Sequence, residues 1–479
     1  VTNAGTVGVN SGLNASITGN LTESAGGTIE VDLTNPAAVG RLTVSGTADL
    51  SASGQFDALI GDLLVDGQQI NDVLTAGTLV TSGALSVTET SLFYDIVAVK
   101  YGNTVDFQVD RGLLITDILA NAGLPYAEGV GGALDDLLDA GGSGGDIDEV
   151  LIALGNLGSA DDVAQAVAQL VPTMAGQGNQ QAQQLANMFS NVVGNRIGGN
   201  RGLSAGDSLY EERHAWIKPF GGYAEGDERS GVPGFEVDTF GIAVGGDIQH
   251  NDKLMLGAGF AWSDSKVDGK TINTNKLDVE SFQLVLYGNY DLNATDFVES
   301  YAIVGFNDNE SRRDVAFGGL RSTALAKYDS IFARIYTGVG RGYRTSEQFM
   351  FTPMATLRYT HIDQDSYTES GAGVLNLNVS GNDEDSLILG MDGVGTYTFG
   401  EGGIYAMSVR AGIGYDVLTD QSLVSSNFTG GGGVFTTTGS EPDEFVYRAG
   451  FGMKASPKDK ISVRFDYEFE GRSDYQRDR

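Results

Sequence analysis

The tetrapeptide Gly206-Asp207-Ser208-Leu209 and, further on, Asp247-Ile248-Gln249-His250 hold the residue types of a serine hydrolase. In that chemistry a histidine takes the serine proton, an acid orients the histidine, and donors hold the oxyanion, all within one pocket. The segment between Ser208 and His250 reads instead as two strands and a loop, with Ser208 ahead of the first strand and His250 in the turn after the second. No room remains for the rest of such a site, so the tetrapeptide is read as linker and no catalytic residue is expected. His214, His250 and His361 stand singly near strand ends, without the spacing of a zinc site. Asp363-Gln364-Asp365 and Asn382-Asp383-Glu384-Asp385 carry oxygen ligands that suit Ca²⁺ or Mg²⁺ but read as solvated loops. Gly338-Val339-Gly340-Arg341-Gly342 lacks the following helix of a phosphate loop and reads as small residues on a wall. No metal or cofactor is expected.

The better candidates are charges on strands. Ile461, Val463, Phe465, Tyr467 and Phe469 alternate with Ser462, Arg464, Asp466, Glu468 and Glu470. Successive side chains of a strand point to opposite faces, so one face here is apolar and the other carries both signs of charge. From His214 to the end the same alternation gives eleven strands, near 214–226, 235–249, 253–266, 278–291, 296–308, 328–343, 348–363, 385–399, 403–418, 443–455 and 460–471. Short connections at 250–252, 344–348, 400–403 and 456–460 alternate with long polar ones near 227–234, 309–327, 364–384 and 419–442. A transmembrane β-barrel sorts its connections this way, with short periplasmic turns and long outer loops. Phe349, Phe351, Tyr359, Tyr415, Tyr467 and Phe469 fit interfacial aromatic girdles. On this phase Arg358, Arg410, Arg448, Arg464, Asp466 and Glu468 face the lumen, where charge is tolerated, whereas on the lipid face it costs roughly 2–4 kcal/mol.

Composition agrees. The chain has 479 residues, 69 of them Gly and none Cys, and a formal charge of −34. Disulfides and thiolate metal sites are excluded, and so acidic a chain is a poor partner for nucleic acid. No run of 18 apolar residues suggests a membrane helix, a rule that a barrel escapes.

Ahead of the barrel lie two regions of different pattern. Residues 1–111 read as short strands, GTIEVDL, RLTVSG, GTLVTSG and LFYDIVAVKYGNTVDFQVD, between Gly- and Ser-rich turns, a β-helix-like stem with a small sandwich as the alternative. Residues 112–213 turn helical. Ser159-Ala160-Asp161-Asp162 starts a helix that Pro172 closes. A second helix, about 178–197, spaces Ala182, Leu185, Ala186, Phe189 and Val193 on one face, with Gln183, Gln184, Asn187, Ser190, Asn191 and Asn195 on the other. That second face is polar yet uncharged, and the helix spans roughly 27 Å, near the height of a barrel wall.

A β-helix-like segment, the helix in ALGNLGSADDVAQAVAQLVPT, a pore-length helix, a barrel opening on AWIKPFGGYAEGD and a last hairpin FDYEFEGRSDY together resemble a classical monomeric autotransporter of type V secretion. The resemblance implies a twelve-stranded outer-membrane barrel, a lumenal linker helix and a secreted passenger, of which residues 1–111 would be the stem at the cell surface. It also implies outer-membrane lipid, periplasmic chaperones and the barrel-assembly machinery as partners, and a monomer. Members that cut their linker do so at an Asn–Asn bond, which this helix lacks. The tetrapeptide at 206–209 is similar to that of the GDSL esterases, which some autotransporters carry as passengers; its place here argues against that use. The other function considered is a porin or receptor for solute uptake. A barrel with both ends in the periplasm needs an even number of strands, so Arg472–Arg479 is expected to turn into a twelfth strand continued beyond Arg479 by about eight to twelve residues ending on an aromatic.

Overall fold

The computed structural model describes residues 1–199, 213–228, 232–270, 275–418, 422–439, 443–458, 461–472 and 475–478. The tetrapeptide at 206–209 lies outside them. At the N-terminal end, Thr2–Asn3, Leu21–Glu23, Arg41–Asp49 and Gln69–Val80 form one parallel sheet. Thr6–Val9, Thr28–Leu33, Gln55–Ile60 and Ser86–Glu89 form a second. Strands taken alternately from the two sheets make the coils of a β-helix. Ile29, Val31, Leu33 and Phe56 from one sheet and Leu42, Val44 and Leu74 from the other fill its core. The hairpin Tyr94–Tyr101 and Thr104–Arg111 then pairs antiparallel on Gln69–Val80, so the stacking of parallel coils stops there.

Four short helices follow, α1 Ile115–Asn121, α2 Glu128–Asp139, α3 Ile147–Gly155 and α4 Ala160–Ala168, and then the long α5, Thr173–Gly199. Ser159 caps α4 by accepting from the Asp162 amide. Asp135 of α2 accepts from the Ile115 and Thr116 amides at the start of α1 and pairs with Arg111 of the stem at 2.8 Å. One carboxylate therefore ties stem, α1 and α2 together. Helix α2 runs through the Gly-rich stretch 129–139 that sequence alone leaves unassigned.

The rest is an antiparallel barrel. Among the described residues its sheet has 13 strands, one of them the two-residue Tyr343–Arg344 in a turn, which leaves twelve in the wall. In order these are Arg213–Gly226, Phe235–Asn251, Leu254–Gly269, Lys276–Asp291, Asp296–Phe317, Leu320–Arg341, Phe349–Gln364, Asn382–Phe399, Tyr405–Asp416, Phe445–Lys458, Ile461–Arg472 and Tyr475–Asp478. Eleven stand where alternation puts them. The twelfth, four residues long, pairs with both the eleventh and the first strand at one end of the wall.

Outward faces show where lipid stops. Trp262, Phe282, Phe306 and Ile331 sit in register across four neighbouring strands, and two residues further on Asp264, Glu280, Asp308 and Asp329 form the next outward row. From Phe282 to the outward Tyr290, 44 % exposed, is eight residues, roughly 26 Å along the strand, which on a tilted wall spans most of an apolar band about 25 Å tall.

Two expectations about the loops need correction. Residues 309–327 are not a loop; they are the paired ends of the fifth and sixth strands, which turn at Gly318 and Gly319 with φ of 52° and 85°. Their buried inner face includes polar Asn309 and Arg313 beside small Val315, Ala324 and Ala326, so the pattern reads as polar. The connections at 364–384 and 419–442 are also built: Tyr367–Thr368, Leu377–Val379, Leu423–Phe428 and Phe435–Thr438 make a four-stranded sheet over the barrel mouth, with Leu377 and Phe428 buried beneath.

Candidate functional site in the barrel lumen

Helix α5 runs inside the wall. It leans on the fourth to seventh strands, where Ala182, Ala186, Phe189, Val193 and Ile197 form a core with Val285, Ile303, Phe332 and Ile362. Its 27 residues span roughly 40 Å, more than the height of the apolar band. Between its far end and the eighth to eleventh strands lies a cavity of about 70 Å³, lined by Asn195, Arg410, Lys454, Arg464, Asp466 and Glu468 among others.

The uncharged face meets a charged wall. Arg334 of the sixth strand is 1 % exposed. It donates to Asn187 Oδ1 at 2.5 Å, Ser190 Oγ at 3.2 Å, the Gln183 carbonyl at 3.4 Å and Thr360 Oγ1 at 2.8 Å. Asn187 in turn donates to Glu470 of the eleventh strand at 3.0 Å, and Arg358 of the seventh strand donates to the other oxygen of Glu470 at 3.2 Å. Asn195 reaches Glu468 at 3.3 Å, with Arg410 of the ninth strand 3.7 Å from the same oxygen. The helix thus joins nearly opposite walls through amides, while arginines from three strands face two glutamates on one.

Two further clusters anchor the far end. Arg196 of α5 holds both oxygens of Asp247 at 2.7 and 3.0 Å, and Trp216, Tyr287 and His214 complete the group around that acid. Gly257 lets the Tyr287 ring lie there, since a Cβ at 257 would sit 2.2 Å from the ring. Asp247 is a buried acid of the second strand, which runs on to Asn251, so His250, expected in the turn after that strand, is still part of it. Lys218 of the first strand pairs with Asp466 of the eleventh, whose other oxygen accepts from Arg464. That pair crosses the seam of the wall below the four-residue twelfth strand.

Of the residues singled out by sequence, Asn187, Ser190 and Arg358 therefore meet through Arg334 and Glu470, while Asn195, Arg410 and Glu468 form a second group nearer the end of the helix. Arg448 pairs with Asp392 at 3.1 Å apart from both groups, Arg464 and Asp466 belong to the seam, Gln184 is buried, and Gln183 and Asn191 are half-buried. Sequence reasoning missed Arg334, Arg196 and Asp392. Arg334 was findable: it stands between Phe332 and Tyr336 on the inner phase of its strand. His250 is exposed, and His361 bonds Asp385 at 2.9 Å.

A wall apolar outside and charged inside, threaded by a polar helix of the same chain, defines a membrane β-barrel filled by its own linker. The family model of the autotransporter β-domain matches residues 215–468, more than half the chain, and the chain belongs to the autotransporter family. It is similar to outer membrane protein A of Rickettsia conorii, 36 % identical over 197 residues, 38 % of this chain and 10 % of that protein. Outer membrane protein B of Rickettsia prowazekii is 29 % identical over 196 residues, 39 % of this chain and 12 % of that one. The chain thus matches only about a tenth of the length of these relatives. Among solved structures, the translocator domain of the autotransporter NalP from Neisseria meningitidis aligns at 15 % identity and a TM-score of 0.48, over 64 % of this chain and 94 % of that one. Residues 215–468 are therefore the β-domain of an autotransporter, a family-level reading that agrees with the outer-membrane proteins it resembles.

Proposed function

We propose that residues 1–111 are the surface-displayed stem of the passenger, that 112–213 link it to the barrel, and that α5 stays in the lumen after secretion as a plug held by the Arg334, Arg358 and Glu470 network. The observation that carries this is Asn187, which accepts from Arg334 on one wall and donates to Glu470 on another. Outer-membrane lipid covers the apolar face, and the barrel-assembly machinery with periplasmic chaperones delivers the monomer.

An epitope added ahead of Val1 tests the reading. Protease given to intact cells removes the epitope while the membrane retains a folded barrel that still carries α5. An epitope that becomes accessible only after lysis, with the barrel inserted, overturns it.

A further inference from the structure

Above the lumen, one apolar core runs without a break from the stem through α1–α4 into the barrel mouth, joining Phe107, Leu134, Leu151, Val167, Val279 and Phe435. The contacts are close. A Cβ on Gly129 of α2 would stand 2.2 Å from the Thr436 carbonyl of the mouth sheet, and one on Gly318, at the tip of the long hairpin, 3.2 Å from Ala153 Cβ of α3. Gln169, which follows α4, accepts from the Ala316 amide at 2.7 Å. At the centre is Arg313 of the fifth strand, its side chain 4 % exposed, paired with Glu369 whose side chain is 5 % exposed. Arg313 donates to both Glu369 oxygens at 3.1 and 2.5 Å, to the Leu375 carbonyl at 2.8 Å and to the Gln169 carbonyl at 3.1 Å. Glu369 also accepts from the Leu377 amide at 2.8 Å.

We infer that α1–α4 with the mouth sheet are a second permeability seal, a lid over the extracellular opening that is latched by Arg313 and Glu369 and closes the barrel without help from α5. The argument is one of geometry and solvation. Water and solutes pass a wet polar lumen, but a continuous apolar core at the mouth leaves them no path. A single arginine on the hairpin, bonded to the neighbouring connection of the mouth sheet and to the end of α4, fixes two separate parts of the lid to one point of the rim. Such a pair is a lock rather than a source of stability, because a buried ion pair barely repays its desolvation while the loss of one partner strands the other.

The test is conductance of the full chain in planar bilayers, with the folded barrel confirmed by its heat-modifiable gel mobility. Four proteins are compared: wild type, Arg313→Ala with Glu369→Ala, a deletion of 178–197, and the deletion combined with both substitutions. Removing both partners avoids an unpaired buried charge. The first three are expected to stay shut and the combined variant to conduct at least tenfold more than the deletion alone. A deletion variant that already conducts as well as the combined one overturns the lid, and a combined variant that stays shut overturns the latch.

Discussion

Glu470→Leu is expected to loosen α5 and the wall together, and a double-mutant cycle with Arg358→Met measures why. The two groups lie 3.2 Å apart with side chains 11 % and 7 % exposed, so solvent screens them weakly. At an effective dielectric constant of about 20 their attraction is about 5 kcal/mol, an upper bound on the coupling. Removing one partner of a buried pair costs about 3–5 kcal/mol, since the other stays behind unpaired, whereas replacing both with apolar side chains is close to neutral. Each single variant should therefore lose about 3 kcal/mol or more, the Glu470 change more than the Arg358 change because it also takes the acceptor from Asn187. The double variant should lose about 2 kcal/mol or less. Urea unfolding in lipid vesicles, followed by gel mobility of the folded barrel, gives the three values. Losses that add to within about 0.5 kcal/mol would mean that the residues do not interact, and the cross-lumen network would be wrong.

Three other outcomes follow from named positions. Burial raises the carboxyl pKa of Glu23 in the stem above its usual value, against a smaller lowering by the Asn3 bond. A raised acid favours the fold when protonated, so the wild-type stem should lose stability as pH rises through that pKa; Glu23→Gln should melt higher than wild type near pH 7 and no higher near pH 4, and a constant difference would refute the sign. Gly257→Ala should displace the Tyr287 ring and cost the barrel about 1–3 kcal/mol, whereas Gly194→Ala, with nothing within 4 Å of its Cβ, should strengthen α5 by about 0.8–1 kcal/mol, both read in the same unfolding assay. Protease added to intact cells should cut at Gly432–Val434, where Val434 is 73 % exposed, and spare the turn at Ser346–Glu347; the reverse pattern would invert the barrel.

The strands were legible because lipid enforces a strict period of two: Leu284 and Leu286 outward, Gln283 and Val285 inward. Where lipid ends, the signal ends. Ala324 and Ala326 line an inner face covered by helices, and nothing in their size marks a strand. Helix α2 was hidden for a different reason. Its glycines at 129 and 131 weaken helical propensity, yet a Cβ at either would collide with Thr436 or Leu119, so the residues that make the helix read as linker are those that let it pack. In the lumen, sequence gives the phase of each charge and not its partner. Arg358 and Glu470 are 112 positions apart, and the pairing depends on how the wall curves round to bring the seventh strand opposite the eleventh.

The neutrality of α5 follows from that wall. Its lumenal face brings positive Arg334 and negative Glu470 to the same level of the helix, one on each side of Asn187. An amide accepts on one atom and donates on another, so it serves both at once. A carboxylate at 187 would still accept from Arg334 but would set two acids against each other at Glu470, and an ammonium would reverse the fault. The same reasoning covers Asn195, an amide between Glu468 and a cavity edged by Arg410, Lys454 and Arg464. Charge enters the helix only near its end, where Arg196 takes a two-point grip on Asp247, an acid that Tyr287 and His214 also hold. Amides along the length adapt to whichever sign the wall presents, and the one charged contact fixes the position at which the helix stops.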